Sequence, residues 1–165
     1  MTDIHKLVDN INSWANEKGL TDPYKQSQEL DGERIELMEA IDKGKITDIK
    51  DEIGDNFVVP IVLANCYASI NILECHRYAS YLTIEPKVYD HEWMYRQLQD
   101  TSAKITDNNY YGQNIDIKYN LGKYFTLIRI VSGKYHTSLE ECLQRAYEKI
   151  SKRTGKTVGG KFVKD

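Results

Sequence analysis

The sequence predicts an all-α protein, on three observations. Apolar residues recur at helical spacing in one segment after another. Helix start and stop residues bracket those segments, and no apolar–polar alternation is long enough to support a sheet. Asp3 can cap a first helix with Ile4, Leu7, Val8, Ile11, Trp14 and Ala15 on one face, and Gly19 can end it. Thr21-Asp22-Pro23 marks a turn and a helix start. The second helix then runs to about Lys43, with Leu30, Leu37, Met38 and Ile41 turned inward, and stops at Gly44. Thr47 or Asp48 can cap a third, carrying Ile49, Ile53 and the apolar run from Phe57. Pro60 removes an N–H there and predicts a bend or local irregularity. This helix is expected to reach the low eighties, where Glu85-Pro86 ends it.

Residues 90–105 read as another helix, with Trp93, Met94, Leu98 and Ile105 apolar. The polar stretch Asp107 to Asn114 reads as a loop, and a further helix covers roughly 116–132. Ser138-Leu139-Glu140-Glu141 is a capping-box pattern that opens a last helix through Arg153, ended by Gly155. The tail from Lys156, with Gly159-Gly160, is expected to be extended.

At 165 residues the chain is one domain with enough length to close one core. Its 22 basic and 25 acidic residues leave a net charge of −3, which argues against a dedicated nucleic-acid binder. Cys66, Cys75 and Cys142 are odd in number and widely spaced, so a disulfide framework or structural zinc is not expected. Each is read as a small buried residue in a reducing, cytoplasmic setting. No basic segment followed by an apolar run opens the sequence, so no signal peptide is expected. The stretch Phe57–Leu73 contains Pro60, Asn65, Ser69 and Asn71 and reads as a core helix rather than a membrane span. Twelve Tyr against three Phe, concentrated in the middle third, suit wet helix surfaces or a subunit interface.

The net charge hides a division. Residues 29–55 hold ten acids and four bases, whereas residues 143–165 hold seven bases and two acids. In the acidic segment, Glu33 and Glu36 lie three apart on the second helix, and Glu52 and Asp55 three apart on the third. Positions i and i+3 share a helix face, so each pair sets two carboxylates side by side. Antiparallel helices joined by a short turn at 44–47 would bring the pairs together. Four such carboxylates repel and raise one another's pKa unless a cation neutralises them. An all-oxygen set favours Mg²⁺ or Mn²⁺. A solvated acidic face is the alternative that spacing alone leaves open. Against it, Glu52 and Asp55 run into the most apolar part of the chain. Gly54 between them costs about 1 kcal/mol relative to Ala in a helix, which points to close approach by another helix or a ligand.

In the basic segment, Lys149 and Arg153 lie four apart and share a face that can grip a polyphosphate, with Lys152 and Lys156 on another. Complementing the negative end of the last helix is the other use of these cations.

These two segments resemble the MazG-type all-α NTP pyrophosphohydrolases, especially the small phage-type members. The resemblance is carried by Glu33-Arg34-Ile35-Glu36, fifteen residues, then Glu52-Ile53-Gly54-Asp55, and by the tail from Ala146 to Lys164. It covers about residues 4–72 and 121–165. It implies a four-helix-bundle core, with residues 73–120 as a helical insertion within a single domain. It also implies hydrolysis of a (d)NTP to the monophosphate and pyrophosphate, in a phage-infected or bacterial cell. Glu33, Glu36, Glu52 and Asp55 would hold Mg²⁺, with one of them serving the attacking water. Lys149 and Arg153, and less directly Lys152 and Lys156, would contact phosphate. A homo-oligomer, dimer or tetramer, is implied too. The sequence departs from the family pattern at Gly32, where an acid is common, and at Glu29, where a base is common. A nucleotide binder with weakened catalysis is therefore one competing reading, and a helical interaction protein whose Tyr-rich middle segment binds another macromolecule is the other. For the base, Trp14 offers a stacking surface and Gln26 or Asn56 an edge reader, while Trp14 also suits the core. His5, His76, His91 and His136 match no metal-ligand spacing.

Overall fold

Asp3, Asp22 and Ser138 each turn a side-chain oxygen onto the first backbone N–H groups of the helix that follows, as their positions before apolar periodic segments predict. The computed structural model describes residues 3–68, 70–79, 82, 89–110 and 117–165. Among these, the helices are α1 (Ile4–Glu17), α2 (Pro23–Lys43), α3 (Ile46–Asn65), α4 (Ile72–Cys75), α5 (His91–Tyr110), α6 (Ile117–Lys134) and α7 (Leu139–Ile150). A 3₁₀ turn, His76–Ala79, follows α4. The chain ends in an antiparallel hairpin, β1 (Gly155–Val158) and β2 (Lys161–Lys164), with Gly155 opposite Lys164 and Val158 opposite Lys161. The protein is thus all-α apart from this hairpin.

Helices α2, α3, α6 and α5 pack in a ring, each against the next, and form a four-helix bundle. Helices α1 and α7 pack against α3 and against each other. One apolar core runs through the bundle. Leu30 and Leu37 of α2, Ile53, Phe57 and Ile61 of α3, Met94 and Leu98 of α5, and Leu121 and Ile128 of α6 are all buried in it. The Phe57 and Phe125 rings meet edge to face at 5.1 Å, joining α3 to α6. Helix α5, from the segment expected to be an insertion, supplies one wall of the bundle. Its Ser102 hydroxyl donates to Asp31 of α2 at 3.0 Å.

Several boundaries differ from the sequence reading. Helix α3 starts after Lys45, with no side-chain cap; Asp48 instead sits in its first turn, paired with Lys45 at 2.9 Å. It contains Pro60 and ends at Asn65, well short of the low eighties. The Asn71 side chain accepts the Leu73 N–H at 3.0 Å and so starts a separate short helix inside the apolar run. The expected end at Glu85-Pro86 lies outside the described residues. Helix α5 continues through Asp107 to Tyr110, where a loop is expected; residues 111–114 of that loop lie outside the described residues. Helix α7 stops at Ile150, three residues before Arg153.

Gly54 has the close neighbour that its position implies. A Cβ there would lie 2.6 Å from the Cys142 carbonyl oxygen and 3.0 Å from the Ala146 Cβ. The backbone of α7 therefore runs directly against α3. Lys50–Glu141 at 3.1 Å and Arg145–Asp51 at 2.5 Å flank the contact. The three cysteines are free, and burial pushes all three thiols up. No helix among the described residues is long and apolar enough to cross a membrane.

Candidate active site

Helices α2 and α3 are joined through Gly44 and Lys45 alone, so they run antiparallel. Glu33 and Glu36 on one then face Glu52 on the other. One carboxylate oxygen from each of these three lies within 4.8 Å of the others. The cluster borders a cavity of about 330 Å³, in the size range of small-molecule sites. Asp55 also lines it, but its Oδ2 accepts from Lys149 Nζ of α7 at 2.5 Å. The sequence pairs Asp55 with Glu52; the fold pairs it with a lysine 94 residues away. Three of the four predicted acids thus form the cluster, and the fourth links it to the cationic side.

The carboxylates of the cluster are poorly compensated. Glu33 Oε2 and Glu52 Oε2 are buried with no hydrogen-bond donor. Burial, and then Asp55, Glu36 and Glu52, push the Glu33 carboxyl from its usual 4.5 up to about 8, although Lys149 pulls the other way. Burial and the neighbouring Asp55 and Glu36 raise Glu52 as well. Orphaned, mutually repelling carboxylate oxygens are a donor set that fits a hard divalent ion. Glu33, Glu36 and Glu52 are the residues that could hold one.

A pH dependence follows. Between pH 4.5 and about 8 the folded, metal-free chain holds a proton on Glu33 that the unfolded chain has lost. The stability tied to that proton is present at the acid end of the window and lost as pH rises through the folded value. Thermal melts in EDTA are expected to show Tm falling across this window from Glu33. Added Mg²⁺ should restore it, more at pH 8 than at pH 5, since the ion needs the ionised form. A Tm insensitive to both would contradict a coupled acidic cluster.

The cationic side is built by the end of α7 and the residues after it. Lys149 and Arg153 both line the cavity, Arg153 from beyond the helix rather than one turn along it. Arg153 makes no ion pair with a described residue. Lys152 is exposed in the turn after α7 and Lys156 is exposed on β1; neither lines the cavity. They share no helix face with each other, because the helix has already ended.

The base-reading candidates separate. Trp14 lines the cavity, half-buried, with its ring edge-on to Phe162 at 5.8 Å. Gln26 also lines it, but its side-chain N–H donates to the Gly160 carbonyl at 3.3 Å and anchors the hairpin. Asn56 is fully buried and does not line the cavity. Its amide donates to the Glu33 and Glu52 carbonyls at 2.8 and 2.9 Å, and its oxygen accepts from Tyr124 at 2.6 Å. With every polar atom committed, Asn56 staples the two acidic helices together instead of reading a base edge. Burial keeps the Tyr124 phenol protonated far above the usual range.

Sequence reasoning missed Phe162, Lys164, Glu29, Leu20, Val58, Val59, Val62 and Ile150 as cavity residues. Glu29 pairs with Lys161 of the hairpin at 2.7 Å, so a base reaches that position through space. The other departure, Gly32, has open space where a side chain would be.

Residues 23–77 match the MazG nucleotide pyrophosphohydrolase domain. That segment, a third of the chain, holds α2 and α3 and hence all four acids of the site. The MazG match stops before α7 and the hairpin, so Lys149, Arg153 and Phe162 lie outside it. The chain is also 39% identical, over 77 residues, to an uncharacterized 18.2 kDa protein of the rep–hol intergenic region of Haemophilus phage HP1. That similarity covers 45% of this chain and 47% of the phage protein, so the chain spans about half the length of the curated relative it matches. No solved structure matches the chain. The three-carboxylate cluster lies wholly inside the segment that matches the MazG nucleotide pyrophosphohydrolase domain.

Proposed function

We propose that the protein is a Mg²⁺-dependent pyrophosphohydrolase (Mn²⁺ would also suit the ligands) that converts a (d)NTP to the (d)NMP and pyrophosphate. The observation that carries this reading is one cavity with a three-carboxylate cluster on one side and Lys149 and Arg153 on the other. A triphosphate needs both: a hard cation among its phosphate oxygens, and ammonium or guanidinium groups for the remaining charge.

Glu33, Glu36 and Glu52 would hold the ion, which supplies charge neutralisation and polarisation of the phosphoryl oxygens. Asp55 holds the Lys149 ammonium at the cavity wall, and Arg153 adds a planar, multi-donor grip on phosphate. Asn56 keeps α2 and α3 in register, so the acids stay opposed. Attack of a water oxygen on phosphorus breaks the anhydride P–O bond between the α and β phosphates, pyrophosphate leaves with the electron pair, and the water proton passes to a carboxylate. One of the four carboxylates of the site would take it. We also read the chain as a homo-oligomer. The similarity of residues 23–77 to the MazG domain is what supports this.

A panel of NTPs, dNTPs and modified nucleotides with Mg²⁺ or Mn²⁺ tests the reading. Pyrophosphate release from at least one of them, abolished by EDTA, is the expected result. Activity that survives EDTA overturns the metal-dependent site. Ligand-induced stabilisation without any turnover would favour a binding protein.

A further inference from the structure

We propose that the C-terminal hairpin is the base-recognising wall of this cavity, with Phe162 and Trp14 gripping the nucleobase while the acidic end takes the triphosphate. The inference rests on the pyrophosphohydrolase reading above and adds residues to it.

The cavity is graded along its length. On α3, Glu52 and Asp55 give way to Val58, Val59 and Val62; on α2, Glu36 and Glu33 give way to Glu29 and Gln26. Because the two helices are antiparallel, both sequences run from acid to neutral in the same direction. At 1.5 Å per residue, ten residues span about 15 Å. That is room for phosphates at one end and a base at the other. Trp14, Leu20 and Phe162 also line the cavity, and the Gln26–Gly160 and Glu29–Lys161 contacts set Phe162 beside the neutral end of α2.

Phe162 reaches this place only because the hairpin is docked. A two-stranded hairpin is marginal alone in water, so its position depends on what it touches. Thr157 donates to the Lys18 carbonyl at the end of α1, and Gln26 donates to Gly160. Lys161 pairs with Glu29 at 2.7 Å, and the Lys18 ammonium lies 5.7 Å from the Phe162 ring centre. Gly160 sits so tightly on α2 that a Cβ would come within 2.7 Å of the Lys25 Cγ. These contacts hold Phe162 at an interplanar angle of 62° to Trp14, which makes an aromatic corner. Aromatic faces stack on any base, so the corner supplies affinity for a nucleobase without needing an edge reader. The Trp14 indole N–H is buried there without a partner, a desolvation cost carried at the corner itself. Glu29 acts as a positioning residue: it holds the strand that carries Phe162.

The test uses a Trp93→Phe background, which leaves Trp14 as the sole tryptophan of the two. The probes are uncleavable α,β-imido dNTPs and inorganic tripolyphosphate, each with Mg²⁺, titrated by calorimetry and by Trp14 emission. The imido-dNTPs are expected to quench Trp14 and tripolyphosphate to leave its emission unchanged. Phe162→Leu should weaken imido-dNTP binding roughly tenfold, the size of a lost stacking contact, and tripolyphosphate binding less than about twofold. In turnover the same loss should fall mainly on KM. Glu29→Lys should weaken imido-dNTP binding likewise, and Glu29→Lys with Lys161→Glu should restore it, which a fold defect would not do. Equal weakening of both probes, unchanged imido-dNTP binding, or binding without a change in Trp14 emission overturns the proposal. A wild-type chain that binds tripolyphosphate but no nucleotide overturns it alone; one that binds neither overturns the pyrophosphohydrolase reading with it.

Discussion

Replacing Glu36 by Gln is expected to reduce pyrophosphate release by about two to three orders of magnitude while making the metal-free protein more stable. The two effects share one cause. Glu36 is the exposed member of the three-carboxylate cluster, so the substitution leaves the core untouched. Its charge helps to raise both Glu33 and Glu52. Without it, burial and Asp55 still hold Glu33 up, but one of the charges that raise it is gone and repulsion within the metal-free cluster is eased. An ion held there would meanwhile lose one of the three carboxylates. Melts with EDTA and with Mg²⁺, run beside turnover assays, check this. The variant should melt higher than wild type in EDTA and gain less from Mg²⁺. An E36Q protein that keeps both turnover and the full Mg²⁺ stabilisation would remove the cluster from the mechanism.

Gly54→Ala is expected to damage stability and catalysis together. The added methyl would lie 2.6 Å from a backbone carbonyl of α7, which cannot rotate away as a side chain could. Helix α7 must shift, at an overpacking cost of about 1–3 kcal/mol, offset in part by the roughly 1 kcal/mol that Ala gains over Gly in a helix. A net loss of about 1 kcal/mol lowers Tm by roughly 2–4 °C in a chain of this size. Catalysis should suffer more than the unfolded fraction explains. Asp55 adjoins Gly54, and α7 carries Lys149, its ion-pair partner. A displacement near 1 Å at such a contact can cost about a hundredfold. Thermal melts and kcat/KM measured well below Tm separate the two effects. A variant with raised Tm and full activity would show that α7 does not bear on α3 there.

The acidic half of the site was legible because it is local. Spacing of three places two carboxylates on one helix face, and a stop at Gly44 folds the second pair back on the first. Gly54 was legible for the same reason: a costly residue in a helix needs a neighbour, and α7 is that neighbour. The end of α3 was not, since the apolar run continues past Asn65 and hides the break made by the turn and by Asn71. Nor was the role of Asn56. An asparagine one turn beyond Glu52 looks the same in sequence whether it reads a base or, as here, closes two hydrogen bonds between helices and one within its own. The hairpin was read only as an extended tail. Its strands are four residues each, too short for alternation to register, although Gly159 and Gly160, with φ of 58° and 83°, make the tight turn that a Gly-Gly pair permits. What the hairpin brings to the cavity, Phe162 and Lys164, depends on contacts more than a hundred residues apart, such as Gln26 with Gly160. No local pattern encodes such contacts.

The most direct test of the central claim is the identity of the products. ³¹P NMR of a turned-over dNTP with Mg²⁺ should show a nucleoside monophosphate and pyrophosphate in equal amounts, formed by the wild-type chain and not by the Glu36→Gln variant. Nucleoside diphosphate with orthophosphate, or no conversion of any nucleotide in the panel, would contradict a triphosphate held across the acidic cluster and Lys149–Arg153 for pyrophosphate release.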